Sequence, residues 1–468
     1  MFSDLKNMKK WILPVCLVLT ISVATIELRN LENYIGQAIP NYIQKNNTPA
    51  DNPLTNAGAT LGRVLFYDKK LSANNSISCG SCHVQEFAFG DTALLSRGLN
   101  GGLTGRHSMR LPYSRFAQEE RFFWDERANS LEMQTTMPIQ DAVEMGFSGV
   151  SGQPGFDSLT RKLADIDYYK TLFRFVYGDS LVTEERIKFA LGQFIRSIYS
   201  FDSRFDVGLA QTNNLNAPFP NFSQQENQGK MLFLNPPGPG PVIMGAGCQG
   251  CHRAPEFDID PVTRNNGITA NPLVPGPQDF GVTRSPSLRD LVNPQGRLNG
   301  QMMHNGVFGS LQQVVNHYNL IPQNPNNFNL DPRLTGPGSN LQLNQNQRDA
   351  LVAFLRTLTS SEIYSHRKWA NPFDENGNLQ VVTILNEYKK QPFPVSVYPN
   401  PANDYVWIDL PHGEFEIELL NAQGKVIQRL NASQQAKLKL SNLSKGPYTL
   451  RFKEAKSKQV LTRKISIL

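Results

Sequence analysis

The chain has 468 residues, of which 40% are hydrophobic and 18% charged, a balance typical of a soluble globular protein. At about 150 residues per domain, it is long enough for about three domains. Its formal net charge of +6 comes from 46 basic and 40 acidic residues spread along the chain, so no basic block predicts binding to nucleic acid.

The first segment has the order of a secretory signal peptide. Three lysines precede an apolar stretch over residues 11–24, which is shorter than the about 20 residues needed to span a bilayer. We predict a signal peptide over residues 1–24 that is removed together with Cys16, so that the mature protein is exported. An uncleaved membrane anchor and a lipid-modified Cys16 are the alternatives.

The pattern Cys-x-x-Cys-His occurs twice and is typical of covalent c-type haem attachment. The two thiols bond to the porphyrin, and the adjacent imidazole becomes an iron ligand. Zinc ribbons space their cysteine pairs about 15–20 residues apart, and a thioredoxin-like site does not require the histidine. Two tight disulfides are a further alternative. We predict two covalently bound haem c groups, held by Cys79, Cys82, His83, Cys248, Cys251 and His252.

An internal repeat frames the two motifs. A helix-like segment G-(R/K)-x-L-F, at residues 62–66 and 229–233, precedes each motif. Amphipathic helices are predicted from Thr183 and from Asn344, each of which is a suitable N-cap, and Ser223 is a suitable N-cap for the helix-like segment before the second motif. The sequence therefore predicts a mainly α protein with two tandem cytochrome c-like haem domains, at residues 50–222 and 223–365.

The C-terminal part of the chain changes to strand periodicity. After about residue 387, apolar and polar residues alternate with a period of two, and residues 421–424 form a turn signal. We predict a small all-β sandwich over residues 395–468, joined to the helical part by a linker over residues 366–394.

Residues from about 50 to 365 resemble the bacterial dihaem cytochrome c peroxidase family, which includes the dihaem enzyme that matures methylamine dehydrogenase. The family pattern has Trp, then Gln ten residues later, then Glu ten further, and Trp124, Gln134 and Glu144 match it in register. The other matching stretches are residues 65–68, 122–128, 131–134, 138–141, 144–146, 284–289 and 303–306.

The resemblance implies catalytic roles for these three residues. Cleaving the O–O bond of peroxide requires a proton to move between its oxygens, and a carboxylate above the iron can carry it. Glu144 is the candidate acid/base, and Gln134 the residue that orients by hydrogen bonding. Trp124 is placed between the haems. Without the resemblance, the sequence would indicate a solvated or salt-bridged helix residue at Glu144 and an ordinary core aromatic at Trp124.

The distal side of each haem is less defined by the sequence. In the family, the distal ligand of the second haem falls in a segment resembling residues 314–319, so Tyr318 is the first candidate and His317 and Met302 are alternatives. Residues 97–101 contain no counterpart of the family's first distal His, which predicts an open first haem. The family's calcium-binding Asn is His107 here, so calcium stays an open expectation, and His107 is either a distal-pocket or a packed surface residue.

These features predict an oxidoreductase, a cytochrome c peroxidase that reduces hydrogen peroxide to water with electrons from a small cytochrome c or copper protein. One alternative is a dihaem oxidase that uses high-valent iron to modify a protein or an organic substrate. The other is a non-enzymatic dihaem electron carrier. A homodimer is compatible with the resemblance.

The tail over residues 395–468 resembles the C-terminal sorting domain of the type IX secretion pathway. The residues that carry this resemblance are Tyr398–Ala402, Leu440–Leu443 and Gly446–Tyr448. It implies contact with the secretion machinery and a location in the periplasm, in the cell envelope or at the cell surface. A β-module used for binding is the alternative, since β-sandwiches have many functions.

Overall fold

The computed structural model describes residues 31–117, 121–238, 245–259, 263–270, 278–380, 395–411, 413–455 and 460–468. The predicted signal peptide, residues 1–24, lies outside these ranges. Contacts divide the chain into two units, Met1–Thr383 and Ile384–Leu468. In the described residues, no helix is both long and apolar enough to cross a bilayer.

The first unit is built from short helices joined by long irregular segments. One small antiparallel pair of strands, β1 (His252–Arg253) and β2 (Asp258–Ile259), lies among them. The α-helices are α1 (Asn56–Tyr67), α2 (Cys79–Cys82), α3 (Leu131–Thr136), α4 (Phe156–Ala164), α5 (Asp167–Tyr177), α6 (Glu184–Arg196), α7 (Arg204–Thr212), α8 (Gln224–Leu234), α9 (Leu311–Asn319) and α10 (Gln345–Arg356).

The predicted internal repeat appears as two equivalent helix pairs, α1 with α6 and α8 with α10. A Cβ atom on Gly62 would overlap the carbonyl oxygen of Ala190, and one on Gly229 would overlap the carbonyl oxygen of Ala350. The glycine of the G-(R/K)-x-L-F segment is therefore required because two helix backbones approach closely at that point.

Local capping explains where three of these helices begin. The Thr183 hydroxyl accepts a hydrogen bond from the Arg186 backbone at 3.2 Å and starts α6. Ser223 and Asn344 start α8 and α10, each with a reciprocal capping box. The N-caps predicted at Thr183, Ser223 and Asn344 are confirmed.

The first unit contains two hydrophobic cores, and their division differs from the predicted boundary at residues 222 and 223. Helix α7 and the loop after it pack in the second core, where Phe205 and Phe219 are buried. In the first core, Tyr199 is the last buried residue before Ile363. The boundary between the two cores therefore lies before α7, about twenty residues earlier than the predicted domain boundary.

The predicted linker over residues 366–394 is wrong for its described part, residues 366–380. Trp369 is fully buried in the first core and donates its indole N–H to the Ser197 carbonyl at 3.0 Å. Tyr67 donates its hydroxyl to the Trp369 carbonyl at 2.7 Å. Because the indole and the backbone of Trp369 bond to two residues that are distant in the sequence, this segment is part of the helical unit.

The second unit is the predicted all-β domain. Its strands are β3 (Ser396–Tyr398), β4 (Tyr405–Asp409), β5 (Phe415–Leu420), β6 (Val426–Ala432), β7 (Gln435–Lys439), β8 (Gly446–Glu454) and β9 (Val460–Ile467). They form antiparallel sheets in the orders β3-β4-β7 and β6-β5-β8-β9. Strands β4, β5 and β7 show inward apolar residues, which build one shared core.

Candidate functional site

The two Cys-x-x-Cys-His segments adopt tight helical turns. Cys79–Cys82 forms α2, and Cys248–Gly250 forms a 3₁₀ turn, so each thiol pair lies on one turn with its histidine directly after it. The four thiols form no disulfide. In the described part of the chain, no group of three or more His, Cys, Asp and Glu residues could hold a metal ion.

Both motif histidines are in the neutral form, which is the form that an iron ligand requires. Nδ1 of His83 lies 3.0 Å from the Phe89 carbonyl oxygen, which places the proton on Nδ1 and leaves Nε2 as a free lone pair. Burial lowers the pKa of His83, and it lowers the pKa of His252 to about 4. Both imidazoles are therefore neutral at ordinary pH.

A cavity of about 970 Å³ surrounds the second motif and lies at the upper end of the usual size of ligand pockets. Cys248, Cys251 and His252 line it. Its apolar wall suits a large flat ring, and that wall includes Leu234, Leu291, Leu311, Leu351 and Leu355. Arginines that could meet carboxylate groups also line it, namely Arg110, Arg253, Arg264, Arg284 and Arg333. The residues present fit a covalently attached haem by size, polarity and donor set.

Two of the three predicted distal ligands reach this cavity. Tyr318 and Met302 line it, whereas His317 is not among its lining residues. The His317 ring nitrogen Nε2 lies 3.0 Å from the Asn266 carbonyl oxygen. The pKa of Tyr318 is raised, first by burial and then by the Cys251 thiol, which places the phenol close to the attachment segment.

The first motif opens onto a smaller cavity of about 70 Å³. Its lining brings together attachment and catalytic candidates that lie far apart in the sequence: Cys79, Cys82, His83, Gln134 and Glu144. The residue types match those of a haem site with a catalytic carboxylate.

Glu144 is the one carboxylate that lines the first cavity among the described residues. Its pKa is raised to about 7, first by burial and then by Asp141, while Arg127 opposes the rise. A group with this pKa exchanges a proton readily near neutral pH, as a general acid/base must. Its backbone N–H donates to Asp141 Oδ1 at 2.9 Å, which fixes the turn that carries it.

The loop that lacks a histidine packs directly against Glu144. Leu99 donates its backbone N–H to the Glu144 carbonyl at 2.9 Å. A Cβ on Gly98 would overlap the Val143 carbonyl oxygen, so only glycine permits this approach. Gly98 itself lines the first cavity. The loop therefore presents backbone to this cavity.

Trp124 lies at the junction of two equivalent hairpins, which bridge Phe122 to Ala128 and Met302 to Phe308. Its indole packs edge-on against the His304 ring, with ring centroids 6.3 Å apart. It is buried, lines the large cavity and donates to the His107 carbonyl at 2.7 Å.

Each hairpin also accepts a backbone hydrogen bond from a segment outside the hairpins. The N–H of His107 donates to the His304 carbonyl at 2.9 Å, and that of Arg284 donates to the Trp124 carbonyl at 2.7 Å. Trp124 and His304 occupy equivalent positions in the two hairpins, since each lies two residues after the first residue of its bridge. The sequence prediction did not include His304 as the counterpart of Trp124. The signal was nevertheless present, because Trp124 and His304 lie at the same distance before the serine N-caps of α3 and α9, Ser130 and Ser310.

His107 takes neither of its two predicted positions. It is buried in the wall of the large cavity, and its Nδ1 lies 3.1 Å from the Leu94 carbonyl oxygen. It is therefore neither a surface residue nor part of the small cavity at the first motif. Calcium binding stays a prediction.

Comparison with known proteins identifies the family. A sequence profile described as di-haem cytochrome c peroxidase matches residues 56–214. The methylamine utilization protein MauG of Methylorubrum extorquens is 30% identical over 319 residues, which cover 66% of this chain and 80% of that protein. The chain belongs to the di-haem cytochrome c peroxidase family. Membership implies two c-type haems and a haem-dependent oxidoreductase.

Other members of the family are similar over the same region. The cytochrome c551 peroxidase of Nitrosomonas europaea is 27% identical over 65% of this chain and 80% of its own. A solved MauG-like protein associated with microbial copper homeostasis is 27% identical. It covers 71% of this chain and 98% of its own, with a TM-score of 0.58.

The second unit matches a separate profile. Residues 396–467 match a secretion system C-terminal sorting domain. This match indicates export through the type IX secretion pathway.

Proposed function

We propose that this family member is a dihaem cytochrome c peroxidase of the periplasm or cell surface, which reduces hydrogen peroxide to water with electrons from a small redox protein. One observation carries the proposal. Glu144 and Gln134 line the same cavity as Cys79, Cys82 and His83, and the pKa of Glu144 is about 7.

In this proposal, the two thiol pairs would hold the haems, and the His83 and His252 imidazoles would bind the irons, His83 through Nε2. The haem supplies the iron centre at which the O–O bond of peroxide is cleaved. The Nδ1 contact of His83 with the Phe89 carbonyl fixes the ring tautomer and its orientation.

Glu144 moves the proton that cleavage requires. As a carboxylate it accepts a proton from one peroxide oxygen, and as a carboxylic acid it returns that proton to the leaving oxygen. Gln134 orients the peroxide by hydrogen bonding. The balance is H₂O₂ + 2 e⁻ + 2 H⁺ → 2 H₂O, so the donor protein provides two electrons per turnover.

The large cavity is proposed to receive those electrons. Tyr318 is the first candidate for a second protein ligand at this site, and Met302 is the alternative, because both line the cavity. Trp124 lines the same cavity and contacts His107, Arg284 and His304. This position supports a role for the indole in passing electrons between the two sites.

A MauG-like oxidase is the second candidate function. Tyr318 at the large cavity favours it, because a phenolate ligand lowers a haem potential that a methionine would raise. The 30% identity to MauG of Methylorubrum extorquens supports the same reading. Such an enzyme would oxidise a protein or an organic substrate instead of a redox donor.

The test is peroxide-dependent oxidation of a reduced small c-type cytochrome by the purified protein with both haems attached. Glu144→Gln should lower kcat/KM for peroxide by about 10²–10⁴-fold, the usual contribution of a general acid/base. Glu86→Gln is the matched control, because Glu86 is exposed on the turn after the first motif.

Mass spectrometry should count two haems in the wild type and in both variants. Oxidation of an organic substrate without oxidation of the cytochrome would favour the oxidase. Two six-coordinate low-spin irons that do not react with peroxide would contradict both enzymes and leave an electron carrier.

A further inference from the structure

Two adjacent tyrosines at the start of α5 share one buried carboxylate. Tyr168 donates its hydroxyl to Asp68 Oδ2 at 2.6 Å, and Tyr169 donates to the same oxygen at 2.8 Å. Asp68 is 3% exposed, and the two phenol rings pack with their centroids 4.7 Å apart. The peroxidase mechanism above uses none of these groups.

The pair connects the first attachment segment with the surface. Tyr169 is fully buried in the core cluster that Cys79 packs against, and the Cys79 thiol is one of the groups that raise the pKa of Tyr169. Tyr168 is only half-buried. Lys70 donates its ammonium to the Tyr168 hydroxyl at 3.1 Å and is itself 36% exposed.

The shared carboxylate meets the chemical requirement for phenol oxidation. Burial, followed by the nearby Asp68, raises the pKa of both phenols, so they stay protonated at rest. A protonated phenol loses an electron easily only if its proton leaves at the same time. Asp68 lies within hydrogen-bond reach of both protons. Tyr177, on the same helix, donates instead to the Arg186 carbonyl at 2.9 Å, which cannot take a proton.

We propose that Tyr169 and Tyr168 form a one-electron relay between the first haem site and the surface, where a small phenolic reductant is oxidised. This relay rests on the proposed peroxidase function and adds a second electron input that bypasses the large cavity. Tyr169 gives an electron towards the haem site and its proton to Asp68. Tyr168 then gives an electron to Tyr169, while Asp68 returns its proton to Tyr169 and takes the proton of Tyr168.

The external phenol ArOH returns one electron and one proton to Tyr168 and leaves as the radical ArO•. Asp68 then releases its proton to solvent, and the haem site takes up one proton from solvent for each electron it receives. Over two such steps the balance is H₂O₂ + 2 ArOH → 2 H₂O + 2 ArO•. Two phenols therefore supply the two electrons and two protons that one peroxide requires.

The surface around Tyr168 favours an aromatic reductant with a negative charge. The Lys70 ammonium lies 5.3 Å from the centre of the Tyr168 ring, and the neighbouring Lys69 is exposed. The Phe373 ring packs edge-on to Tyr168 with a centroid separation of 6.3 Å. Phenolic carboxylates combine the ring and the charge that this surface suits.

The experiment compares two donors with the full-length protein carrying both haems. Peroxide turnover is measured with a reduced c-type cytochrome and, separately, with the phenolic carboxylate ferulate. The variants are Tyr168→Phe and Asp68→Asn, with Tyr177→Phe as the matched control. Peroxide is also added without any donor in the presence of a spin trap, and the trapped site is mapped by mass spectrometry.

We expect Tyr168→Phe to lose ferulate oxidation and the trapped adduct at residue 168, while turnover with the cytochrome is unchanged. Tyr177→Phe should keep all three. Ferulate oxidation at the wild-type rate in Tyr168→Phe would overturn the relay. A wild-type protein that turns over peroxide with the cytochrome but not with ferulate would also overturn it. A wild type that turns over peroxide with neither donor would overturn the proposed function and the relay with it.

Discussion

The pH dependence of peroxide reduction tests the assignment of Glu144 most directly. The proposed step needs the carboxylate form, and burial raises the pKa of Glu144 to about 7. The ionised fraction is then about one half at pH 7, about one tenth at pH 6 and about one hundredth at pH 5. We expect kcat/KM for peroxide to fall about tenfold for each pH unit below this inflection.

Glu144→Gln should remove this limb and leave a flat, low profile. Arg127 opposes the rise in the pKa of Glu144, so Arg127→Gln should move the inflection to higher pH. The assay is steady-state oxidation of a reduced cytochrome between about pH 5 and pH 9, with Glu86→Gln as the control. An unchanged inflection in Glu144→Gln, or a wild-type inflection near the ordinary carboxyl pKa, would refute the reasoning.

The same shift predicts a change in stability. A raised folded-state pKa means that Glu144 favours the fold below its unfolded pKa and loses that contribution as pH rises to about 7. A shift from 4.5 to about 7 corresponds to about 3 kcal/mol at most. Glu144→Gln should therefore unfold at higher denaturant than the wild type at about pH 8, with a smaller difference at about pH 5.

Four further substitutions test the fold and the large cavity. Gly229→Ala should lower the free energy of unfolding, measured by chemical denaturation, by about 1–3 kcal/mol. Alanine favours helices more than glycine does, but its Cβ would overlap the Ala350 carbonyl oxygen. Trp369→Ala should cost about 3–5 kcal/mol in the same assay, and a negligible loss would contradict its place in the core. Under the proposal, Tyr318→Phe should change the EPR spectrum of one haem while Met302→Leu does not, and the opposite outcome would assign the ligand to methionine.

Much of the molecule could be predicted where the signal is local. Each Cys-x-x-Cys-His segment carries its chemistry within five residues, and the caps at Thr183, Ser223 and Asn344 depend on contacts within one helical turn. The strand alternation of the second unit is also local, since neighbouring side chains on a strand point to opposite faces. The family pattern added Glu144 and Gln134, which line the same cavity.

What failed depended on contacts between distant parts of the chain. Residues 366–380 read as a linker because their composition is polar, yet Trp369 is fully buried and bonds to Ser197, 172 residues away. His107 could not be placed from its neighbours, because its position depends on backbone bonds with the hairpin that carries His304.

The sequence by itself determined the covalent chemistry, the helix starts and the presence of a β domain, because these depend on residue identity and short spacing. Only the tertiary structure decided which side chains share a cavity, because those residues lie far apart in the sequence. It also decided the pKa of Glu144, because burial and the neighbouring Asp141 raise that pKa to about 7. It also placed Tyr318 at the wall of the large cavity, whereas His317 bonds to the Asn266 carbonyl. Two adjacent helical residues point in different directions, and only the packing around the helix determines which of them meets the cavity.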